Sequence, residues 1–182
     1  MQLTPRYIQY TFRSSCASIM VWGAIWHGGR SNLILFDTSE STSKRKGVNA
    51  LIYRTQITEK ELLRCWKLVR RNWRGYGTPW VVEDNAKVHT AKATRGKAEE
   101  LGMRFLAHPP CSPCLNPIEH VWNLLKRRLA GLTPRPTSQA ALFAAAEEIW
   151  KSIPQEKIDR LINSMPDRIE ACISANGGYI DY

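Results

Sequence analysis

Apolar residues recur along this chain in two rhythms, and the change from one to the other lays out its elements. Near the start, Tyr7-Ile8-Gln9-Tyr10-Thr11-Phe12 alternates apolar and polar positions and reads as an edge strand or an extended lead-in. Ser18 to Trp26, rich in Ile, Val and Trp, is a stronger strand, with Gly28-Gly29 as its turn and Asn32 to Phe36 as its hairpin partner. Asp37 to Gly47 is polar and reads as a loop, and Val48 to Gln56 as a short helix. The period then becomes helical. Thr58-Glu59-Lys60-Glu61 has the form of a capping box, with Thr58 as N-cap, and Leu62, Trp66, Val69 and Trp73 follow as one apolar stripe. The opposite side carries Arg64, Lys67, Arg71 and Arg74.

Pro79 to Glu83 is expected to be a central buried strand, because three apolar residues run together before the acids. His89 to Leu101 predicts a helix with Ala91, Thr94, Ala98 and Leu101 inward and Gly102 as its stop. Met103 to Ala107 predicts a second strand, which makes Pro79–Ala107 a β–α–β unit with a right-handed parallel crossover. A loop with four prolines, His108 to Pro117, leads into helices over about Pro117–Leu129, Ser138–Ser152, Pro154–Asn163 and Pro166–Ala175. Leu142, Ala146, Ile149 and Ile153 form the buried stripe of the second of these, and Asn176-Gly177-Gly178 stops the last.

The order of these elements gives an α/β fold with a helical C-terminal segment, and 182 residues suit a single domain spanning 1–182. Charge changes the picture more than size does. A net charge of +10 favours a polyanionic partner, because Lys and Arg displace the counterions condensed on nucleic acid. Arg64, Lys67 and Arg71, with Lys126 and Arg127 on the predicted 117–129 helix, are the candidate phosphate contacts; a merely solvated basic face is the plainer reading. Five cysteines in no disulfide pattern point to a reducing compartment. No apolar run approaches the ~20 residues needed to cross a bilayer, and Met1–Tyr10 has no secretory core. The expectation is an intracellular protein off the membrane; a nuclear address fits the charge, although Lys44-Arg45-Lys46 is too short a cluster to establish one.

Candidate chemistry centres on two acids with thirty-four residues between them, Asp84 and Glu119. A strand, a helix and a second strand fit in that interval, so both can return to one edge of a sheet, where hard oxygen ligands hold Mg2+ or Mn2+. Each has a competing reading. Asp84-Asn85 is also ordinary turn chemistry leaving a strand. Asn116-Pro117-Ile118-Glu119 is also an N-cap, a proline at N1 and a glutamate completing a capping box. Glu83 points away from Asp84, because neighbouring strand residues face opposite sides. His89 is placed to orient the turn after the strand, and Asp37 is the only other candidate for a third acidic ligand. Cys111-x-x-Cys114, with His108 nearby, is weak evidence for zinc, which needs four ligands at a structural site.

Several segments carry a family resemblance. Val21-Trp22-Gly23-Ala24-Ile25, Glu83-Asp84-Asn85-Ala86 with His89, and Ser112-Pro113 followed by Leu115-Asn116-Pro117-Ile118-Glu119-His120-Val121-Trp122 resemble the DDE catalytic domain of Tc1/mariner-type (IS630-like) transposases. Ser164-Met165-Pro166-Asp167-Arg168 with Gly177-Gly178 and Tyr182 resembles the family's C-terminal end. The resemblance implies a ribonuclease H-like mixed sheet flanked by helices, metal-dependent DNA cleavage and strand transfer, and Asp84 and Glu119 as two of three carboxylates holding two Mg2+ or Mn2+ ions. It also accounts for the loop cysteines, since the family commonly has an aromatic or polar residue at Cys111 and Asp at Cys114. The family's first Asp and the central strand that carries it have no counterpart here. The implied protein is therefore an N-terminally truncated catalytic domain, weak or inactive as an enzyme. The alternative is a non-catalytic nucleic-acid-binding or protein-interaction module. Either Tyr7–Phe12 replaces the central strand, or the site pairs between chains in a homodimer.

Overall fold

A long, interrupted β-hairpin stands between two apolar clusters and contributes to both. The computed structural model describes residues 17–41, 47–73, 77–110, 112–178 and 180. The expected extra strand at Tyr7–Phe12 and the basic cluster Lys44-Arg45-Lys46 lie outside the described residues. Strand β1 (Val21–Trp22) pairs antiparallel with β4 (Ile34–Leu35), and β2 (Ile25–Trp26) pairs antiparallel with β3 (Gly29–Arg30). The strand predicted over Ser18–Trp26 is thus two short pieces. At the break the Ser31 N–H donates to the Ala24 carbonyl and the Ala24 N–H to Ser31 Oγ, each at 2.8 Å. Gly23 sits there because a Cβ would come within 3.0 Å of the Trp122 and Trp150 rings. Adjacent β1 residues face opposite sides, so Val21 packs on one cluster and Trp22 on the other.

The second cluster is built on one helical stretch: α1 (Ala50–Tyr53), a π-helical segment Arg54–Leu62 and α2 (Leu63–Asn72). This corrects the capping box predicted at Thr58. The helix is capped nine residues earlier, where Asn49 Oδ1 accepts the Ile52 N–H at 2.9 Å, and Thr58 lies buried in its middle. Burial of Tyr53, Ile57, Leu62 and Trp66 along one side outweighs the local capping signal, and Glu61 pairs instead with Arg64 at 2.9 Å. Arg64, Lys67 and Arg71 are exposed on the far side, as expected, while Arg74 lies outside the described residues.

Strand β5 (Trp80–Val81) pairs in parallel with β6 (Arg104–Phe105), with α3 (Lys87–Thr90) and α4 (Lys92–Glu100) between them. The β–α–β unit is therefore present, although extended backbone at Ala91 breaks the helix predicted as continuous. Gly102 ends α4 at φ +81°, the left-handed region that favours glycine. A second correction concerns β5, which is not a buried central strand. Trp80 is 57% and Val82 40% exposed, because among the described residues only β6 flanks this strand.

Four helices complete the chain: α5 (Ile118–Ala130), α6 (Gln139–Ser152), α7 (Gln155–Asn163) and α8 (Met165–Ser174). Val121, Leu124, Leu125, Ala146, Trp150, Ile153 and Ile158 join Leu33 of the hairpin in the first cluster. Each large side chain buried here is worth about 1.5–3 kcal/mol. Trp150, missed by the predicted stripe of α6, is its centre. Its indole N–H donates to the Ser31 carbonyl at 2.8 Å, and its ring stacks on Trp122 with centroids 5.1 Å apart.

Candidate functional site

A cleft of about 740 Å3 opens between the two clusters, walled by β1, β5 and the start of α5. Its walls are largely apolar: Met20, Trp22, Trp80, Leu106, Trp122 and Ile169 all contribute. Asp84 and Glu119 line this same cleft, one carried by each half of the molecule. A smaller hollow of about 210 Å3, at Arg30, Ser31, Leu33 and Trp150, has no acidic lining.

Asp84 stands just beyond the end of β5, with its side chain 56% exposed. Its Oδ1 accepts the Ala86 N–H at 3.1 Å, the expected turn geometry, and also lies 2.7 Å from His89 Nδ1. The His89 contact is at ion-pair distance without the alignment of a hydrogen bond. His89 thus braces the turn, and its ring lies 4.4 Å from that of Tyr53. Asn85 ties the same turn to the loop after β6, donating Nδ2–H to the His108 carbonyl at 2.8 Å.

Glu83 turns the other way, as strand alternation requires. Tyr53 donates its hydroxyl to Glu83 Oε1 at 2.6 Å, and Arg95 Nη1 lies 3.6 Å from Oε2. Burial raises the pKa of both the carboxyl and the phenol, and the negative field of Glu83 raises Tyr53 further. Arg95 also stacks over Phe105, 3.8 Å from the ring centroid.

Glu119 occupies the first turn of α5, half-buried. The capping box read from the sequence does not form: this helix has no side-chain cap, and the Asn116 N–H goes to the Pro113 carbonyl at 3.0 Å. Among the described residues nothing engages the Glu119 carboxylate, which leaves both oxygens for a ligand. Hard, anionic oxygens suit Mg2+ or Mn2+, which commonly bind through one or two carboxylates plus water and phosphate. Among the described residues no cluster of three or more His, Cys, Asp or Glu forms. Asp37 takes the Ser39 N–H at 2.9 Å and does not line the cleft, so it is no third ligand there. Cys111 lies outside the described residues, and Cys114 contributes its carbonyl to Arg168.

The predicted basic contacts are not in the cleft. Lys126 and Arg127 are exposed on α5, and Arg64, Lys67 and Arg71 on α2. Sequence reading missed the roles of Tyr53, Arg95 and Arg168, each of which needs a partner 12 or more residues away. No local pattern marks such pairs. Among the described residues no helix is long and apolar enough to cross a membrane.

Residues 12–142 match the profile of the family described as DDE superfamily endonuclease. The Tc1 transposable-element transposase of Caenorhabditis elegans is 33% identical over 96% of this chain, which spans 58% of that relative's length. The Tcb1 transposase of Caenorhabditis briggsae is 34% identical over 95% of the chain, again 58% of the relative. Among solved structures, the Mos1 transposase catalytic domain with raltegravir and Mg superposes with a TM-score of 0.70 at 26% identity, covering 90% of this chain and 76% of that one. A Mos1 paired-end complex with the left transposon end gives 0.66 at 25% identity, covering 90% and 44%. The ribonuclease H-like α/β fold implied by the motifs is the fold of these structures.

Proposed function

The chain belongs to the DDE superfamily of endonucleases, and from that premise we propose that it is the larger part of a Tc1/mariner-type catalytic domain whose Asp84 and Glu119 hold Mg2+ or Mn2+. The observation that carries this reading is the convergence of both acids, from two separately packed halves, on one cleft. The ion, when bound, polarises a phosphodiester oxygen and stabilises the charge that develops on it. The chain's own side chains set the stage. Ala86 N–H and His89 hold one oxygen of Asp84 and orient the other, while the Tyr53–Glu83 bond fixes the strand end behind it. DNA is the proposed substrate, in keeping with the transposon-end DNA of the Mos1 complexes, and the nucleus is the proposed place of action. With two carboxylates in place of three, cleavage and strand transfer by this chain alone are expected to be weak or absent.

Mn2+ binding followed by electron paramagnetic resonance, alongside thermal unfolding, tests the core of the proposal. The parent should bind Mn2+ and unfold at higher temperature with it, and Asp84→Asn and Glu119→Gln should each lose both effects. A parent indifferent to Mn2+ would sink the metal role.

The second reading, a non-catalytic nucleic-acid-binding module, draws on the position of Lys126, Arg127, Arg64, Lys67 and Arg71 outside the cleft. DNA affinity should then survive Asp84→Asn/Glu119→Gln, while Lys126→Gln/Arg127→Gln should reduce the log–log salt slope by about 2. An unchanged slope would remove these two residues from the interface. A homodimer is the remaining partner state, and sedimentation at monomer mass across the micromolar range would exclude it.

A further inference from the structure

Arg168, on α8, is the most deeply buried charged residue among the described residues, at 2% exposure. Nothing in the proposed chemistry uses it directly. Its Nε donates to Ser164 Oγ at 2.9 Å, one turn back on its own helix side, and Ser164 Oγ donates in turn to the Leu161 carbonyl at 2.8 Å. The guanidinium then crosses to another part of the chain. Nη1 donates to the Cys114 carbonyl at 2.8 Å and lies 2.9 Å from His120 Nε2. Since a guanidinium can only donate, Nε2 accepts, and the His120 ring carries its proton on Nδ1.

These two partners bracket Glu119. Cys114 belongs to the single 3-10 turn Pro113–Leu115 that precedes α5, and His120 is the next residue after Glu119 in the first helical turn. A helix start is ordinarily fixed by a side-chain cap, and α5 has none. Glu119 is the residue the local sequence would have used for that purpose, and its carboxylate is left free instead. The rigid guanidinium fixes two donors relative to each other: Nε holds Ser164 on its own helix while Nη1 holds the carbonyl and the ring nitrogen, and a lysine, with a single ammonium, cannot keep both ends at once.

We infer that Arg168 is a positioning residue for Glu119: from α8 it locks the loop-to-helix junction at Cys114 and His120, replacing the missing cap and leaving the Glu119 carboxylate aimed into the cleft for an ion. This inference rests on the proposed metal role of Glu119, but the lock itself is a separate, measurable feature. Partners that orient metal ligands typically change metal affinity 10–100-fold when removed.

The test compares the full chain with Arg168→Lys, His120→Phe and a core control, Ile57→Val, which lowers stability in the other apolar cluster. Hydrogen exchange over residues 113–121 and Mn2+ affinity are read for each. Arg168→Lys should speed exchange selectively at the amides of Leu115, Asn116 and Glu119 to Val121 and weaken Mn2+ binding at least tenfold. His120→Phe should do so to a smaller degree, and Ile57→Val should do neither. Added guanidinium should restore part of the protection and of the affinity to an Arg168→Ala chain. If Arg168→Lys does not fold, His120→Phe decides by the same readouts. Exchange and Mn2+ affinity equal to the parent, or loosening spread evenly over the molecule, would overturn the inference. If the parent binds no Mn2+, the metal role fails while the exchange data still decide whether the lock exists.

Discussion

The two halves that face each other across the cleft are packed on different principles. The half around Trp150 buries its polar side chains with partners in place: Ser31 Oγ donates to the Asn32 carbonyl, Arg168 holds Ser164 and Cys114, and the Trp150 indole donates to the Ser31 carbonyl. The half around Tyr53 buries polarity with its apolar groups. Thr58 is buried there, and Glu83 is 10% exposed under Tyr53. Among the described residues, the buried side-chain atoms without a hydrogen bond are Arg54 Nε, Thr58 Oγ1, Trp66 Nε1, His89 Nδ1 and Arg95 Nη1, and all belong to this second half. Unsatisfied buried polar groups cost stability, and native proteins retain them chiefly where function asks for them. The difference teaches that, among the described residues, Glu119 stands on a half whose buried polar side chains are paired and Asp84 on one that keeps several without hydrogen bonds.

The comparison breaks most readily at Trp150. Trp150→Ala should cost about 3–5 kcal/mol in urea unfolding, the usual range for a buried aromatic removed to a cavity. Hydrogen exchange should rise in α5, α6 and the hairpin before it rises in α4 and β6. Simultaneous loss of protection everywhere would mean that the two halves are one cooperative unit.

A smaller effect tests the polar half. Tyr53→Phe leaves Glu83 buried without its hydroxyl donor and should cost about 1–3 kcal/mol. In a chain already carrying Glu83→Leu the same change should cost much less, because no carboxylate then awaits that donor. Equal costs in the two backgrounds would show that the hydroxyl bond contributes little.

The smallest and most discriminating effect is the sign of the pH response. Burial raises Glu83 above its ordinary pKa of 4.5, so the folded state holds this proton more tightly than the unfolded one. Its contribution is fully present below 4.5 and lost as pH rises through the raised folded value. Asp159, in the other half, accepts the Gly28 N–H at 2.8 Å, and that bond with the Gln155 amide lowers its pKa below 3.8. Its contribution is present above 3.8 and lost as pH falls through the lowered folded value. Difference curves of stability against pH for Glu83→Gln and Asp159→Asn should therefore slope in opposite directions, each by a few tenths of a kcal/mol for the exposed Asp159 pair. Parallel curves would remove the distinction.

Much of this was legible in the residues. Gly102 after Leu101 and Asn176-Gly177 after α8 act locally, and the structure has them in the predicted roles. That Asp84 and Glu119 reach one cleft was legible because each ends or begins a regular element in a strong local motif. The errors came where distant packing overrides a local signal. Thr58 looks like a cap until the helix is seen to run from Asn49 with Ile57 and Leu62 buried on either side of it. Val82 looks buried by composition, yet burial needs a neighbour, and among the described residues β5 has one on a single side. Arg168 stands in a segment that carries the resemblance, yet nothing local tells what it holds, since its partners Cys114 and His120 lie about fifty residues upstream.

Among the described residues one edge each of β1 and β5 has no partner strand, which has a consequence for the protein as a colloid. Unpaired strand edges flanked by Met20, Trp80, Val82 and Leu106 invite edge-to-edge pairing between copies. A net charge of +10 opposes that approach by mutual repulsion. Salt shortens the reach of this repulsion, to about 10 Å at 0.1 M, and leaves the apolar edges unaffected. The chain should accordingly be best dispersed in dilute buffer and cluster as ionic strength rises, the reverse of ordinary salting-in. Light scattering across a salt series reports this directly, and the same series must accompany any DNA titration, because salt acts on both equilibria at once.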